Sequence, residues 1–379
     1  MNTKLQSPKH LRNKKVVTLI NLNLFQGLFF GYLCQMISDF TLSDRISAFV
    51  QLGIRLSNIS EDEKISLFQQ AENQNPWFTH RSLEHALEGI CLLLDAQALE
   101  KWLAPYALSE PINPKQVGLM LSGNIPAVGF HDILSVLISG HSACIKLSSQ
   151  DAALPLWLIQ ELKRIEPRFS DRIQVEEMLK NKQAYIATGS DNSARYFNFY
   201  FGKYPNLIRA NRSSVAILRG DESKADLEAL GSDIFDYFGL GCRNVSKVFV
   251  KNQGQLTDLL DALESFASVA NHHKYFNNYE YNKSIYLVNR TPHLDNGFLL
   301  VKESSDLVSP IAVLFYEIYS DEQELKMKLQ ELNFKIQCVV GSSLLDFPGI
   351  IPFGHTQCPL PWDYADGVDT LQFLSSLGN

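Results

Sequence analysis

Short apolar runs that alternate with helical stretches constrain this chain more than any other feature of its sequence. Val117-Gly118-Leu119-Met120-Leu121-Ser122 enters a tight Gly123-Asn124-Ile125-Pro126 loop, and His131 to Ile138 then has helical spacing. Ser142 to Leu147 is a second run and Leu154 to Ile165 a second helix. Ala184 to Ser190 is a third strand ending in a Gly-Ser turn, and Ser214 to Leu218 a fourth. Strand, helix, strand, helix at this spacing predicts an α/β fold with a parallel sheet and helices on its faces. Ligands of such sheets sit outside the carboxyl ends of the strands, which puts Asn124, Lys146 and the Gly189-Ser190 turn at the expected binding edge. There is no Gly-x-Gly-x-x-Gly, so a dinucleotide here would need another scheme.

Helical periodicity precedes this region, with Ile46, Phe49, Val50 and Leu52 on one face and Leu83, Ala86, Leu87, Ile90 and Leu93 on another. A second unit begins after Gly220. It reads as helices over Asp226 to Phe238 and Gln255 to Val269. Strands are expected at Val248–Val250, Ile285–Val288, Phe298–Val301, Ile311–Leu314 and Ile336–Val340. Pro352 to Phe373 reads as loops before a short strand. A length of 379 residues fits two or three domains. The expected division is an extension over 1–35, a helical part with a nucleotide-binding domain over 36–219, a catalytic domain over 220–349, and a C-terminal return over 350–379. Val16 to Cys34 is apolar behind a basic stretch, but Asn21, Asn23 and Gln26 interrupt it and no small-x-small site follows. It is therefore expected to be an extension rather than a leader or a membrane span.

The six cysteines are scattered, with no Cys-x-x-Cys pair and no Cys/His cluster at zinc spacing. They read as reduced thiols in a cytoplasmic protein without a metal. A net charge of −7 with no basic stripe argues against a nucleic-acid partner. Most free cysteines are small buried hydrophobes. Cys242 differs in its setting, Gly239-Leu240-Gly241-Cys242-Arg243-Asn244-Val245-Ser246-Lys247-Val248-Phe249-Val250. Glycines there allow close approach of a substrate, and Arg243 favours a thiolate.

The order of these segments is more specific than any one of them. Gly-Asn-Ile-Pro, a Lys-ended strand, Thr-Gly-Ser, a Ser-Ser-Val-Ala-Ile-Leu strand and Gly-x-Gly-Cys-x-x-x-Ser-Lys-Val-Phe-Val together resemble the aldehyde dehydrogenase superfamily. The likeness is greatest to its fatty acyl-CoA reductase (LuxC-like) branch. The resemblance implies an aldehyde dehydrogenase-like fold with Cys242 as nucleophile and Asn124 as oxyanion donor. It implies that Lys146 holds the adenosine ribose or its phosphate, that Gly189 and Ser190 receive the pyrophosphate at a helix N-terminus, and that Asp306 binds the nicotinamide ribose. Phe353 and His355 fall in its Phe-Gly segment near the substrate mouth. Each residue also has a plain reading: a turn asparagine, a solvated lysine, an ordinary loop, an exposed acid. His131 and His141 read as structural, His272-His273 as a solvated pair, and the aromatic run Tyr196 to Phe201 as core.

One departure is informative. Hydrolytic aldehyde dehydrogenases carry a glutamate that activates water where this chain has Ile208-Arg209-Ala210-Asn211-Arg212-Ser213-Ser214, without a carboxylate. The resemblance therefore implies a reductase that takes an acyl group from CoA, or from a carrier or synthetase protein, and reduces it with NADPH; no residue decides against NADH. A homo-oligomer is the family expectation. An oxidative CoA-acylating enzyme and a non-catalytic acyl-binding partner are the alternatives.

Overall fold

A computed structural model describes residues 40–108, 113–342 and 347–378, so the 1–35 extension lies outside the described residues. Four helices come first: α1 Leu42–Ser57, α2 Glu61–Gln74, α3 His80–Leu93 and α4 Ala96–Leu103. Thr41, Ser60, Thr79 and Asp95 each accept a backbone N–H from the first turn, which satisfies a donor that a helix start otherwise strands. Phe49, Leu52, Leu83, Leu87 and Leu99 point inward and share one core with the first sheet.

That sheet has five parallel strands, β1 Gln116–Met120, β2 Ser142–Lys146, β3 Ile173–Val175, β4 Ala184–Thr188 and β5 Asn206–Arg209, in the order β3-β2-β1-β4-β5. Helices α5 Phe130–Ile138, α6 Ala153–Ile165 and α7 Asp191–Phe201 lie between them in the chain. The chain builds outward from β1 to β3 and then returns to add β4 and β5 on the other side. The crevice at such a reversal, here between β1 and β4, is where α/β sheets bind ligands. Met120 pairs with Lys146 on one side and Ala187 on the other. The loop after β1, Lys146 and Gly189 therefore leave the sheet at one edge.

The second sheet runs β12-β11-β6-β7-β10-β9-β8, parallel except for the pair β8–β9. Its strands are β6 Ser213–Ile217, β7 Val245–Val250, β8 Leu294–Asp295, β9 Leu300–Glu303, β10 Val313–Ile318, β11 Ile336–Val340 and β12 Ile350–Ile351. Helices α8 Lys224–Phe235, α9 Gly254–Ala262, α10 His273–Val288 and α11 Glu322–Glu331 belong to this half. The last helix, α12 Thr370–Leu377, returns to α5 and places Leu371 and Leu374 in the first core.

Three expectations are corrected. The strand at 213–217 belongs to the second sheet, although the sequence reading put it with the first. It is buried along its whole length, and such a run does not indicate which sheet it joins; the outer neighbour of β4 is the short, polar-ended β5. Ile285–Val288 is the last turn of α10, with Leu287 and Val288 facing solvent. The C-terminal stretch ends in a helix, started by an Asp369 cap on Gln372 N, and not in a strand.

Candidate active site

Cys242 lies in the turn between α8 and β7. Tyr237, Phe238 and Gly239 are successive left-handed residues, with φ of 53°, 58° and 74°. For the two aromatic residues that conformation costs roughly 1–2 kcal/mol each. Packing holds them: Tyr237 stacks on His85 of α3 at 5.8 Å, and Phe238 lies 4.2 Å from His272 and 5.6 Å from Trp77 between ring centroids. Asn244 then ties the turn together. Its Oδ1 accepts from Gly241 N at 2.9 Å, and its Nδ2 donates to the carbonyls of Asp236 at 2.7 Å and Asp233 at 3.1 Å. Ser214 on β6 donates to the Cys242 carbonyl at 3.0 Å. A Cβ on Gly241 would stand 2.5 Å from Ile125 Cδ1 and 2.9 Å from Asn244 Oδ1, so glycine lets the loop after β1 come this close without shifting either side chain.

Asn124 reaches this turn from the other sheet. Its Oδ1 accepts from Ser122 Oγ at 2.6 Å, and its Nδ2 donates to the carbonyl of Leu240, two residues before Cys242, at 2.8 Å. An amide nitrogen carries two N–H groups, so one remains for a further acceptor. Cys242 itself is half-buried. Burial pushes its thiol up to about 11, with Cys338 and Asp366 acting the same way, while Arg243 and the residue's own N–H pull it down. Arg243 thus favours the thiolate as expected, but burial outweighs it and the resting form at neutral pH is the thiol.

Arg243 Nε donates to the Thr356 carbonyl at 2.6 Å, and the buried Asp233 carboxylate accepts from Gly354 N at 2.6 Å and Thr356 N at 3.0 Å. The Phe-Gly segment is therefore fastened beside the Cys242 turn through its backbone. Phe353 is packed in the second core, and His355 is exposed with Nδ1 2.8 Å from the Phe353 carbonyl. Lys146 is half-buried at the end of β2 and has no ion-pair partner among the described residues. Ser190 caps α7 by accepting Ser193 N, and a Cβ on Gly189 would meet Ser193 and Phe197 within 3 Å. Asp306 is exposed on the loop after β9, its N–H on Ser304 Oγ, with no hydrogen bond or ion pair to the other candidates. The neighbouring Leu307 carbonyl accepts from Ser246 of β7 at 2.5 Å.

The aromatic run divides: Phe201 is buried and stacks on Tyr185 at 4.2 Å, whereas Tyr196, Phe199 and Tyr200 are exposed. His131 and His141 donate from Nε2 to the carbonyls of Pro361 and Leu374, which anchors the C-terminal return. His272 is a helix cap whose Nε2 meets the Pro76 carbonyl, a bridge between the two halves. In the stretch where a base was absent, Arg209 binds Asp132 and Thr370, and Arg212 pairs with Asp366 at 3.3 Å. Sequence reading missed Asn244, Ser214, Asp233 and Asp366. Asn244 was visible as an amide inside a glycine turn; the other three come from elements whose packing beside Cys242 only the tertiary fold determines.

Among the described residues no helix is long and apolar enough to cross a membrane, and no group of three or more His, Cys, Asp or Glu could hold a metal. The family model described as acyl-CoA reductase (LuxC) matches residues 58–268. No curated protein matches the chain. Similar solved structures include an aldehyde dehydrogenase from Bacillus cereus in complex with NAD+, at 13% identity, covering 80% of this chain and 72% of that one, with a TM-score of 0.56. The aldehyde dehydrogenase KauB from Pseudomonas aeruginosa has 13% identity, coverage of 80% and 73%, and a TM-score of 0.59. An NADP-dependent glyceraldehyde-3-phosphate dehydrogenase from Bacillus halodurans C-125, complexed with NADP, has 12% identity, coverage of 80% and 74%, and a TM-score of 0.56. At these identities the likeness concerns the fold.

Proposed function

The chain belongs to the acyl-CoA reductase (LuxC) family, and from that premise we propose that it reduces an acyl thioester to an aldehyde through a covalent acyl group on Cys242. The observation that carries this reading is the hydrogen bond from Asn124 to the Leu240 carbonyl, which sets an amide with a spare N–H beside a half-buried cysteine. In the proposed reaction the Cys242 sulfur, having lost its proton, attacks the thioester carbonyl. The spare Asn124 N–H and the Cys242 N–H stabilise the oxyanion, and the CoA thiolate leaves with a proton. Arg243, held on Thr356, lowers the cost of the thiolate.

A nicotinamide cofactor fits the first sheet on its own features. The order of strands reverses between β1 and β4, Lys146 stands at that edge without an ion-pair partner among the described residues, and the missing Cβ of Gly189 lets the α7 start pack tightly against the end of β4. Lys146 and the Gly189-Ser190 turn would hold its phosphates. When bound, it supplies the hydride that releases the aldehyde. The solved neighbours with NAD+ and NADP agree with a cofactor of this class; NADPH is the family expectation. The acyl donor is an acyl-CoA or an acylated carrier or synthetase protein, the protein acts in the cytoplasm, and it assembles with copies of itself.

Intact-mass spectrometry after incubation with acyl-CoAs of increasing chain length, without cofactor, tests the reading. One acyl mass per chain is expected, absent from Cys242→Ala and lost on adding NADPH. Uptake by Cys242→Ala would end the assignment.

A further inference from the structure

The five-residue loop that presents Asn124 is gripped at both ends by side chains from elsewhere. At its start the Gly123 carbonyl accepts from Asn75 Nδ2 at 3.0 Å; at its end the Ala127 N–H donates to Asp151 Oδ2 at 2.7 Å. Both side chains are buried, with 2% and 4% of their surface exposed. Asn75 follows α2, and its amide is oriented because Oδ1 accepts from Trp77 N at 3.0 Å. Asp151 ends the turn after β2, where its own N–H donates to the Ser148 carbonyl at 3.2 Å. A Cβ on Gly123 would collide with Ser148 and approach Asp151 to 3.2 Å, so the loop lies directly on that turn.

Two features show that this grip exceeds what folding alone asks. Ala127 is left-handed at φ 51° without being a glycine, a conformation that needs outside support. Asp151 is a buried carboxylate whose Oδ1 has no hydrogen-bond partner among the described residues, and a neutral side chain would be cheaper there. The same corner also reaches the nucleophile. Trp77, whose N–H orients Asn75, packs its ring on Phe238 in the bend leading to Cys242. A one-ångström error between Asn124 and the Cys242 turn is enough to lose most oxyanion stabilisation.

We propose that Asn75 and Asp151 are positioning residues that clamp the Gly123–Ala127 loop, so that Asn124 keeps its N–H aimed at the reacting carbonyl on Cys242. This rests on the role of Asn124 given above. Neither residue touches substrate; both act through Asn124.

The test is a double-mutant cycle on the full chain, read as single-turnover acylation by mass spectrometry and as kcat and KM for acyl-CoA and NADPH. Asp151→Ala and Asn75→Ala should each lower kcat by roughly 10-fold to 100-fold with both KM values within about twofold. Asp151→Asn keeps an acceptor for Ala127 N–H and should recover most of the loss. In an Asn124→Ala background, adding Asp151→Ala should cost less than about twofold, since the clamp has nothing left to aim. Losses that multiply in the double variant, or a rise in KM at unchanged kcat, would overturn the clamp. An inert Asn124→Ala would instead sink its oxyanion role. If Asp151→Ala does not fold, the cycle is run with Asn75→Ala, where the same two outcomes decide.

Discussion

The proposed nucleophile turn and the proposed cofactor edge are built on opposite principles. Around Cys242 nearly every polar group is tied: Asn244 makes three hydrogen bonds within the turn, Ser214 holds the Cys242 carbonyl, and Arg243 and Asp233 fasten the segment beside it. At the edge of the first sheet Lys146 has no ion-pair partner among the described residues, and α7 leaves Tyr196, Phe199 and Tyr200 in solvent. Chemistry at a carbonyl needs donors fixed before the reaction begins. A soluble cofactor that must enter and leave needs an edge whose groups are satisfied only when it is bound. The contrast assigns different kinetic signatures: losses in the turn fall on kcat, and losses at the edge fall on KM.

The sharpest way to break it is Asn124→Ala, which should lower turnover by roughly 10²–10³ while binding of NADPH, followed by fluorescence titration, stays within about twofold. A larger effect on cofactor binding than on turnover would place Asn124 with the edge. Next comes the thiol. Because burial holds it up to about 11, the rate of Cys242 alkylation by iodoacetamide should climb about tenfold per pH unit from 7 toward 10, where the thiolate fraction is still rising. Arg243→Met should slow alkylation at every pH, since the guanidinium lowers the cost of the anion. A plateau below pH 8 would show a thiolate that the structure does not favour. At the edge, Lys146→Ala should raise KM for the cofactor about tenfold and leave single-turnover acylation unchanged, because a strand-end lysine contributes one charged contact to a phosphate. Slower acylation in that variant would erase the distinction between the two regions.

What could be read from the sequence follows the same division. Strand ends that carry a turn signature, Gly123-Asn124-Ile125-Pro126, Lys146 and Gly189-Ser190, were legible because parallel strands place their carboxyl ends on one edge whatever the details of packing. Cys242 stood out by the glycines around it, of which Gly241 packs against Ile125 of the loop after β1. The run Ser213–Ile217 was misassigned because pattern shows burial and not partnership, and Ile285–Val288 because an apolar helix end and a short strand look alike. Asn75, Asp151, Asp233 and Asp366 were not legible at all. Each acts through hydrogen bonds or an ion pair formed with residues distant in the chain, and a polar residue that caps or clamps has the same local signature as one in an ordinary turn.

Asp151 stands between the two regions, since it follows β2 at the proposed cofactor edge yet holds the loop that presents Asn124, and its cost to the fold is measurable. Burial raises its carboxyl from 3.8 to about 7, the Ala127 N–H offsetting only part of that rise. The unfolded chain releases this proton near 3.8, whereas the folded chain keeps it until about 7. The stabilising contribution is therefore complete below the unfolded value, and it is lost as pH rises through the folded one. Above that range the ionised group costs the fold on the order of 2–4 kcal/mol. Asp151→Asn keeps the acceptor without the charge. Its Tm should exceed that of the wild type by several degrees at pH 8, roughly 2–4 °C per kcal/mol, and the gap should narrow at pH 5 and close only below the unfolded value of 3.8. A gap that is the same at both pH values would mean that the carboxyl does not titrate inside the folded protein. Its presence in the clamp would then bring no stability cost.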